Sequence, residues 1–195
     1  MADQPPAVLL PVKSFRKAKE RLAPALDAAG RAALAREMAT TVRAAAGDLP
    51  VAVVCDDAEV AAWARGCDAE VIWRPGRGLN GAVADGVDVL AEGGHHRVLV
   101  VHADLPLADD LGRVAGDEGV TLVPDRHRDG TNVISVPSQA GFEFSYGPGS
   151  YGRHRAAVER LGLPLRILDD RRLGWDVDVP ADLGFPEDLV AGARP

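Results

Sequence analysis

The chain has few cysteines, few aromatic residues, no long apolar run and no excess of basic charge, and each shortage excludes something. Cys55 and Cys67 are the only cysteines and form no CxxC pair. A disulfide scaffold and a cysteine-built metal site are therefore set aside, and a reduced, cytoplasmic protein is expected. No apolar stretch approaches the roughly 18 residues a membrane span needs. Asp3, Gln4, Pro5 and Pro6 interrupt any early hydrophobic region, so no signal peptide is expected. Aromatics make up only 5% beside heavy use of alanine, glycine and arginine, a bias of genome composition rather than of fold. Net charge is -7, which argues against a general nucleic-acid binder. It leaves room for a small anionic ligand held by a local basic patch.

What is present fits an ordinary globular domain. Its 195 residues suit one domain that buries roughly 70% of its unfolded surface. Residues 1–6 and 191–195 are expected to be loose tails around a domain spanning 7–190. Apolar runs predict strands at Ala7–Val12, Val51–Val54, Ala69–Trp73, Arg97–His102, Val120–Val123, Asn132–Val136 and Leu165–Leu168. Between them, Leu34, Met38, Val42 and Ala45 form a helical stripe. Further helices are expected from Asp56 to Ala64, from an N-cap at Asn80 to Leu90, over Asp109–Val114 and over Ser150–Leu161. Alternation of this kind predicts a three-layer αβα domain around a mostly parallel sheet. The second half loosens into a long polar, glycine-rich segment over Ser138–Tyr151 and a short extended piece at Trp175–Val179. Loops that long in a compact domain are usually functional.

Five basic residues, Lys13, Arg16, Lys17, Lys19 and Arg21, follow the first strand directly. Against an acidic background they read either as a solvated turn or as a loop presented to a polyphosphate. The fourth strand runs into Ala103-Asp104-Leu105-Pro106, which puts a carboxylate at a strand's carboxyl end, where open α/β sheets bind ligands. Asp104 is there either a turn cap or a ligand to a hard cation such as Mg²⁺. In Asp176-Val177-Asp178-Val179 the extended alternation points both carboxylates one way. Two neighbouring like charges need water or a cation. Gly76–Ala84 is a glycine-rich loop entering a helix, able to lie against a planar ring, with Asn80 offering both donor and acceptor. Thr131 and Ser150, with N–H groups near Gly147 and Ser150, suggest an anion pocket at a helix N-terminus, unless Ser150 is only a cap.

Taken in order, LPVKSFRKAKERL, GLNGAV, ADLP, DGTN, FSYGPGSYGRH and DVDVPADL resemble the CofC/FbiD guanylyltransferases across about Val8–Leu183. The resemblance implies a GT-A-like nucleotidyltransferase fold and a role in coenzyme F-420 biosynthesis. The implied reaction joins GMP from GTP to a small phosphorylated three-carbon acid and releases pyrophosphate, the product passing to a downstream transferase. Phosphoenolpyruvate is the expected acid, with 2-phospho-L-lactate and 3-phosphoglycerate as alternatives. By matching position, Pro11, Val12, Lys13, Lys19 and Arg21 would hold the triphosphate. Leu79, Asn80, Gly81 and Ala84 would hold the guanine, and Thr131, Gly147 and Ser150 the acid. Asp104, Asp176 and Asp178 would bind Mg²⁺, and Lys13, Arg21 and Asp104 would act in catalysis. A molybdopterin nucleotidyltransferase, a small glycosyltransferase and a non-enzymatic nucleotide-binding module are the competing readings.

Overall fold

A computed structural model describes residues 4–116 and 118–190. Seven strands form one sheet: β1 (Ala7–Pro11), β2 (Val51–Cys55), β3 (Glu70–Trp73), β4 (Arg97–Val101), β5 (Val120–Pro124), β6 (Thr131–Pro137) and β7 (Leu165–Ile167). Their order is β3-β2-β1-β4-β6-β5-β7. All neighbours pair in parallel except β6, which runs antiparallel to both β4 and β5. The expected mostly parallel sheet is therefore present, with one reversed strand. That reversal matters for function. It brings the start of β6, Thr131, to the same sheet edge as the ends of β1 and β4.

Successive strand residues feed opposite faces, as the pleat requires. Val8, Leu10, Val53, Leu99 and Val101 pack with α1 (Ala28–Ala45) and α2 (Ala58–Gly66). Ala7, Leu9, Val54, Val98 and Val100 pack with α3 (Gly78–Glu92) and α4 (Ser150–Leu161). Helix α3 comes close to β1 because residue 86 is glycine. A Cβ there would lie 2.8 Å from the Leu9 side chain. A short helix, α5 (Glu187–Val190), follows.

Two local expectations are corrected. Asn80 is not an N-cap, because α3 already begins at Gly78 with Arg77 as its cap residue. The Asn80 side chain is instead engaged by the 138–149 loop. Over Asp109–Val114 only Gly112–Val114 turns, as a 3-10 helix. The Asp109 and Asp110 carboxylates accept the backbone N–H groups of Asp110 and Gly112, both at 2.8 Å, and so compete with helical pairing. The 175–179 segment joins no strand of the sheet. At the N-terminus, the carbonyls of Gln4 and Pro5 bond the rings of His96 and His95, so residues 4 and 5 are tied down. The tails expected at 1–3 and 191–195 lie outside the described residues. Among the described residues no helix is long and apolar enough to cross a membrane.

Candidate active site

Beyond the ends of β1 and β4 lies a cleft of about 720 Å³. One wall is the loop after β1. Phe15 anchors it, buried to 1% exposure and edge-on to Trp63 at 5.5 Å. With Phe15 fixed, Pro11, Val12, Lys13, Lys17, Lys19 and Arg21 all line the cleft. Arg16 does not, because it pairs with Glu59 at 2.9 Å. Lys17 is thus a lining cation that position in the sequence did not separate from Arg16. The opposite wall carries His102, Asp104 and Asp178.

The two walls meet through one ammonium. Lys19 Nζ donates to Asp104 Oδ2 at 2.6 Å and to Asp178 Oδ1 at 2.9 Å. Burial pulls the Lys19 pKa down, but the two carboxylates outweigh it and the net direction is up. Burial likewise pushes Asp104 up, yet Lys19 and His102 hold it below the ordinary carboxylate range. Lys19 sits in the left-handed region, φ 57° and ψ 38°. For a lysine that costs on the order of 1 kcal/mol, offset here by the paired charges.

The Asp176–Asp178 segment lies outside the sheet. Val177 is fully buried beside Leu22 and Met38. Asp178 lines the cleft, whereas Asp176 does not and lies beside Arg126. Asp182 fixes this geometry by accepting the N–H groups of Asp178 and Val179 at 2.7 and 2.8 Å. Burial alone raises the Asp182 pKa, but those N–H groups and Arg126 hold it low. Arg126 pairs with Asp182, donates to the Asp176 carbonyl at 2.9 Å and lies 4.5 Å over the Trp175 ring. Asp182→Ala removes one member of this buried pair and should cost about 3 kcal/mol in urea unfolding. An unchanged midpoint would mean that the segment is held by something else.

Asp104 Oδ1 and Asp176 Oδ1 are buried without a hydrogen-bond partner among the described residues. Asp176 has only a long 3.5 Å ion pair to Arg126. Burial and then the nearby Asp104 raise the Asp176 pKa. No ready-made cluster of three or more metal-ligating side chains exists among the described residues. Two orphaned carboxylate oxygens beside a bridged pair are nonetheless a hard-oxygen donor set of the kind Mg²⁺ takes.

From the cleft wall a chain of rings leads to Thr131, which does not itself line the cleft. His102 packs on Tyr146 at 4.8 Å, and Tyr146 meets His154 edge-on at 5.0 Å. The His154 ring lies 3.0 Å from the hydroxyl of Thr131. Thr131, Tyr146, Ser150 and His154 are all buried. Gly147 takes φ 116°, which glycine tolerates and other residues resist. The expected N–H pocket is partly used up internally. Ser150 N–H donates to Gly147 O at 3.0 Å, and Gly149 N–H to the Asp129 carboxylate at 3.1 Å. Gly149, rather than Ser150, is the cap of α4.

The nucleoside loop is split. Leu79 lines the cleft, but Asn80, Gly81 and Ala84 do not, and Ala84 borders a separate cavity with Val87 and Phe142. Asn80 Oδ1 accepts the Tyr146 N–H at 2.7 Å, which uses one of its two lone pairs and fixes the side chain, leaving its amide donors for a ligand. Tyr146, His102, His154 and Asp182 lie in or beside the motifs, but sequence pattern gives them no role of their own. They become visible only through contacts between distant parts of the chain.

Burial pushes the His154 pKa down to about 4, with Arg153 and His102 adding to the shift. A histidine is neutral when buried this way and binds a proton near pH 6.5 once unfolded. Its contribution is therefore complete above pH 6.5 and lost as pH falls toward 4. Between pH 7 and pH 5 it should cost about 2 kcal/mol of stability. Urea titrations of wild type and His154→Phe at both pH values isolate this term. Equal pH dependence in the two proteins would contradict it.

Comparison with known proteins adds the family. The family model described as "Guanylyl transferase CofC like" matches residues 6–192. The chain belongs to this family. Within it, the chain is 38% identical over 198 residues to the phosphoenolpyruvate guanylyltransferase of Conexibacter woesei, covering 95% of this chain and 89% of that protein. It is 37% identical to the enzyme of the same name from Rubrobacter xylanophilus, covering 90% of each. Among solved structures, a nucleotidyl transferase from Methanothermobacter superposes with a TM-score of 0.66 at 14% identity, covering 93% of this chain and 94% of that one. A 4-diphosphocytidyl-2C-methyl-D-erythritol synthase gives 0.63 at 13% identity, covering 94% and 96%. At such identities these two establish the nucleotidyltransferase fold of this CofC-family chain and nothing finer.

Proposed function

We propose that this CofC-family protein transfers GMP from GTP to phosphoenolpyruvate and releases pyrophosphate, a cytoplasmic step of coenzyme F-420 biosynthesis. The observation that carries the reading is the makeup of one sheet edge. A basic loop and the carboxylates Asp104 and Asp178 face each other across the cleft, and the buried Thr131 connects to its His102 wall through His154 and Tyr146. The names of the relatives supply the pair of substrates.

In this reading Lys13, Lys17, Lys19 and Arg21 receive the triphosphate, with Pro11 and Val12 shaping the floor. Leu79 packs on the guanine, and the remaining amide donors of Asn80, with Gly81 and Ala84 behind it, complete that end. Thr131, Gly147 and Ser150 hold the acid. An oxygen of the acid's phosphate attacks the α-phosphorus of GTP. That P–O bond forms while the bond from the α-phosphorus to the bridging oxygen breaks, and the electron pair leaves with pyrophosphate. The nucleophile is already an anion, so no side chain need remove a proton. The obstacle is repulsion between two polyanions, which Lys13 and Arg21 relieve at the leaving group. Mg²⁺ held by Asp104, Asp176 and Asp178 would supply charge neutralisation at the α-phosphate. For that, Lys19 must release Asp104 and Asp178 and turn its ammonium to phosphate.

A matrix of four nucleoside triphosphates against phosphoenolpyruvate, 2-phospho-L-lactate and 3-phosphoglycerate tests the proposal, read as pyrophosphate release. GTP with phosphoenolpyruvate is expected to lead. A preference for CTP would favour a molybdopterin-type enzyme. GTP binding indifferent to Mg²⁺, without pyrophosphate release from any pair, would favour a binding module.

A further inference from the structure

The geometry points to His154 as a positioning residue that aims the Thr131 hydroxyl proton at the phosphorylated acid. It rests on the guanylyltransferase reading and assigns a role to a residue outside the sets of triphosphate, guanine, acid and metal contacts.

The argument follows from which groups can only donate. His154 Nε2 lies 3.0 Å from the backbone nitrogen of Ser145. A backbone N–H has a proton to give and no lone pair to offer, so Nε2 must be the acceptor. In a neutral imidazole the proton then sits on Nδ1. Nδ1 faces Thr131 Oγ1 at 3.0 Å, so the ring donates and the hydroxyl accepts. Thr131 is only 1% exposed and its hydroxyl has no other partner among the described residues. Its own proton is left to donate, which is what an anion requires.

The ring cannot easily turn to reverse this polarity. It is fully buried, with Tyr146 edge-on at 5.0 Å and Phe142 at 5.7 Å. The burial that keeps the ring neutral serves the same end, since an imidazolium would repel the Ser145 N–H. A single direction of donation thus runs from the 138–149 loop through α4 to the start of β6. A threonine hydroxyl has one proton and two lone pairs; the His154 N–H occupies one lone pair and turns the proton away from the ring.

The test separates this role from simple packing. Relative to wild type, His154→Phe should raise KM for phosphoenolpyruvate about tenfold to a hundredfold, the worth of one hydrogen bond to a charged ligand. KM for GTP should stay within about twofold. His154→Gln keeps one donor and one acceptor and should recover most of the loss. Thr131→Val should give an effect of the same size, and His154→Phe added to it should do no further harm. Equal rises in both KM values, or additive losses in the double variant, would overturn the proposal. Long-range ¹⁵N–¹H correlation of the wild-type imidazole serves if a variant fails to fold. An Nδ1-protonated tautomer is expected, and an Nε2-protonated ring would overturn the assignment. The NMR readout needs no turnover, so it stands apart from failure of the guanylyltransferase reading, which would show as wild-type protein inactive with every acid.

Discussion

Asp104→Asn will lower turnover about a hundredfold or more while leaving the fold intact. Asp104 follows β4 directly, and one of its oxygens bonds Lys19 while the other is buried without a partner among the described residues. Asp104 would act by holding Mg²⁺, and losing that charge neutralisation at the reacting phosphoryl group is worth roughly 3 kcal/mol. Stability should change little, because asparagine keeps an acceptor for Lys19 and the Lys19–Asp178 pair remains. Steady-state kinetics beside a urea titration give both numbers. Turnover within a few-fold of wild type would remove Asp104 from the reacting centre.

Lys19→Met will lower stability and turnover while strengthening the response to Mg²⁺. Without the ammonium, Asp104 and Asp178 face each other uncompensated, and the Asp176 pKa is already raised by burial and then by Asp104. Breaking a buried ion pair costs about 3–5 kcal/mol. Asp178 is about half exposed, so water screens its share and a loss of about 2 kcal/mol is expected. Turnover should fall about a hundredfold with the missing phosphate contact. Mg²⁺, in contrast, should stabilise the nucleotide-free variant more than it stabilises wild type, because the lysine no longer competes for the same carboxylates. A thermal-shift titration with Mg²⁺ checks this without turnover. Equal Mg²⁺ shifts in both proteins would show that Lys19 does not guard the metal position.

Much of this layout was legible in the residues. Continuous apolar runs marked the strands, since a strand buried on both faces carries no polar alternation. The carboxylate after β4 and the basic loop after β1 could be placed because ligands gather at strand carboxyl ends. Of the two carboxylates flanking Val177 only Asp178 reaches the cleft, because the segment is set by Val177 burial together with the Asp182 and Arg126 contacts rather than by a strand. The direction of β6 was not readable, since Thr131–Pro137 has the same composition whichever way it runs. Arg16 and Lys17 differ only in whether Glu59 comes within reach. Asn80 lost its expected capping role to Tyr146, a partner 66 positions away. Arg126 meets Asp182 across 56 positions, a pairing no local pattern reports.

The account turns on a new phosphorus–oxygen–phosphorus link between the acid and GMP. Phosphorus NMR recorded in situ on wild-type protein with GTP, phosphoenolpyruvate and Mg²⁺ observes that link even if the product is labile. The prediction is a pyrophosphate singlet growing together with two mutually coupled doublets of an unsymmetrical diphosphate, as the phosphoenolpyruvate singlet disappears. An unchanged phosphoenolpyruvate singlet, with GTP intact or hydrolysed to GMP or GDP, would contradict it.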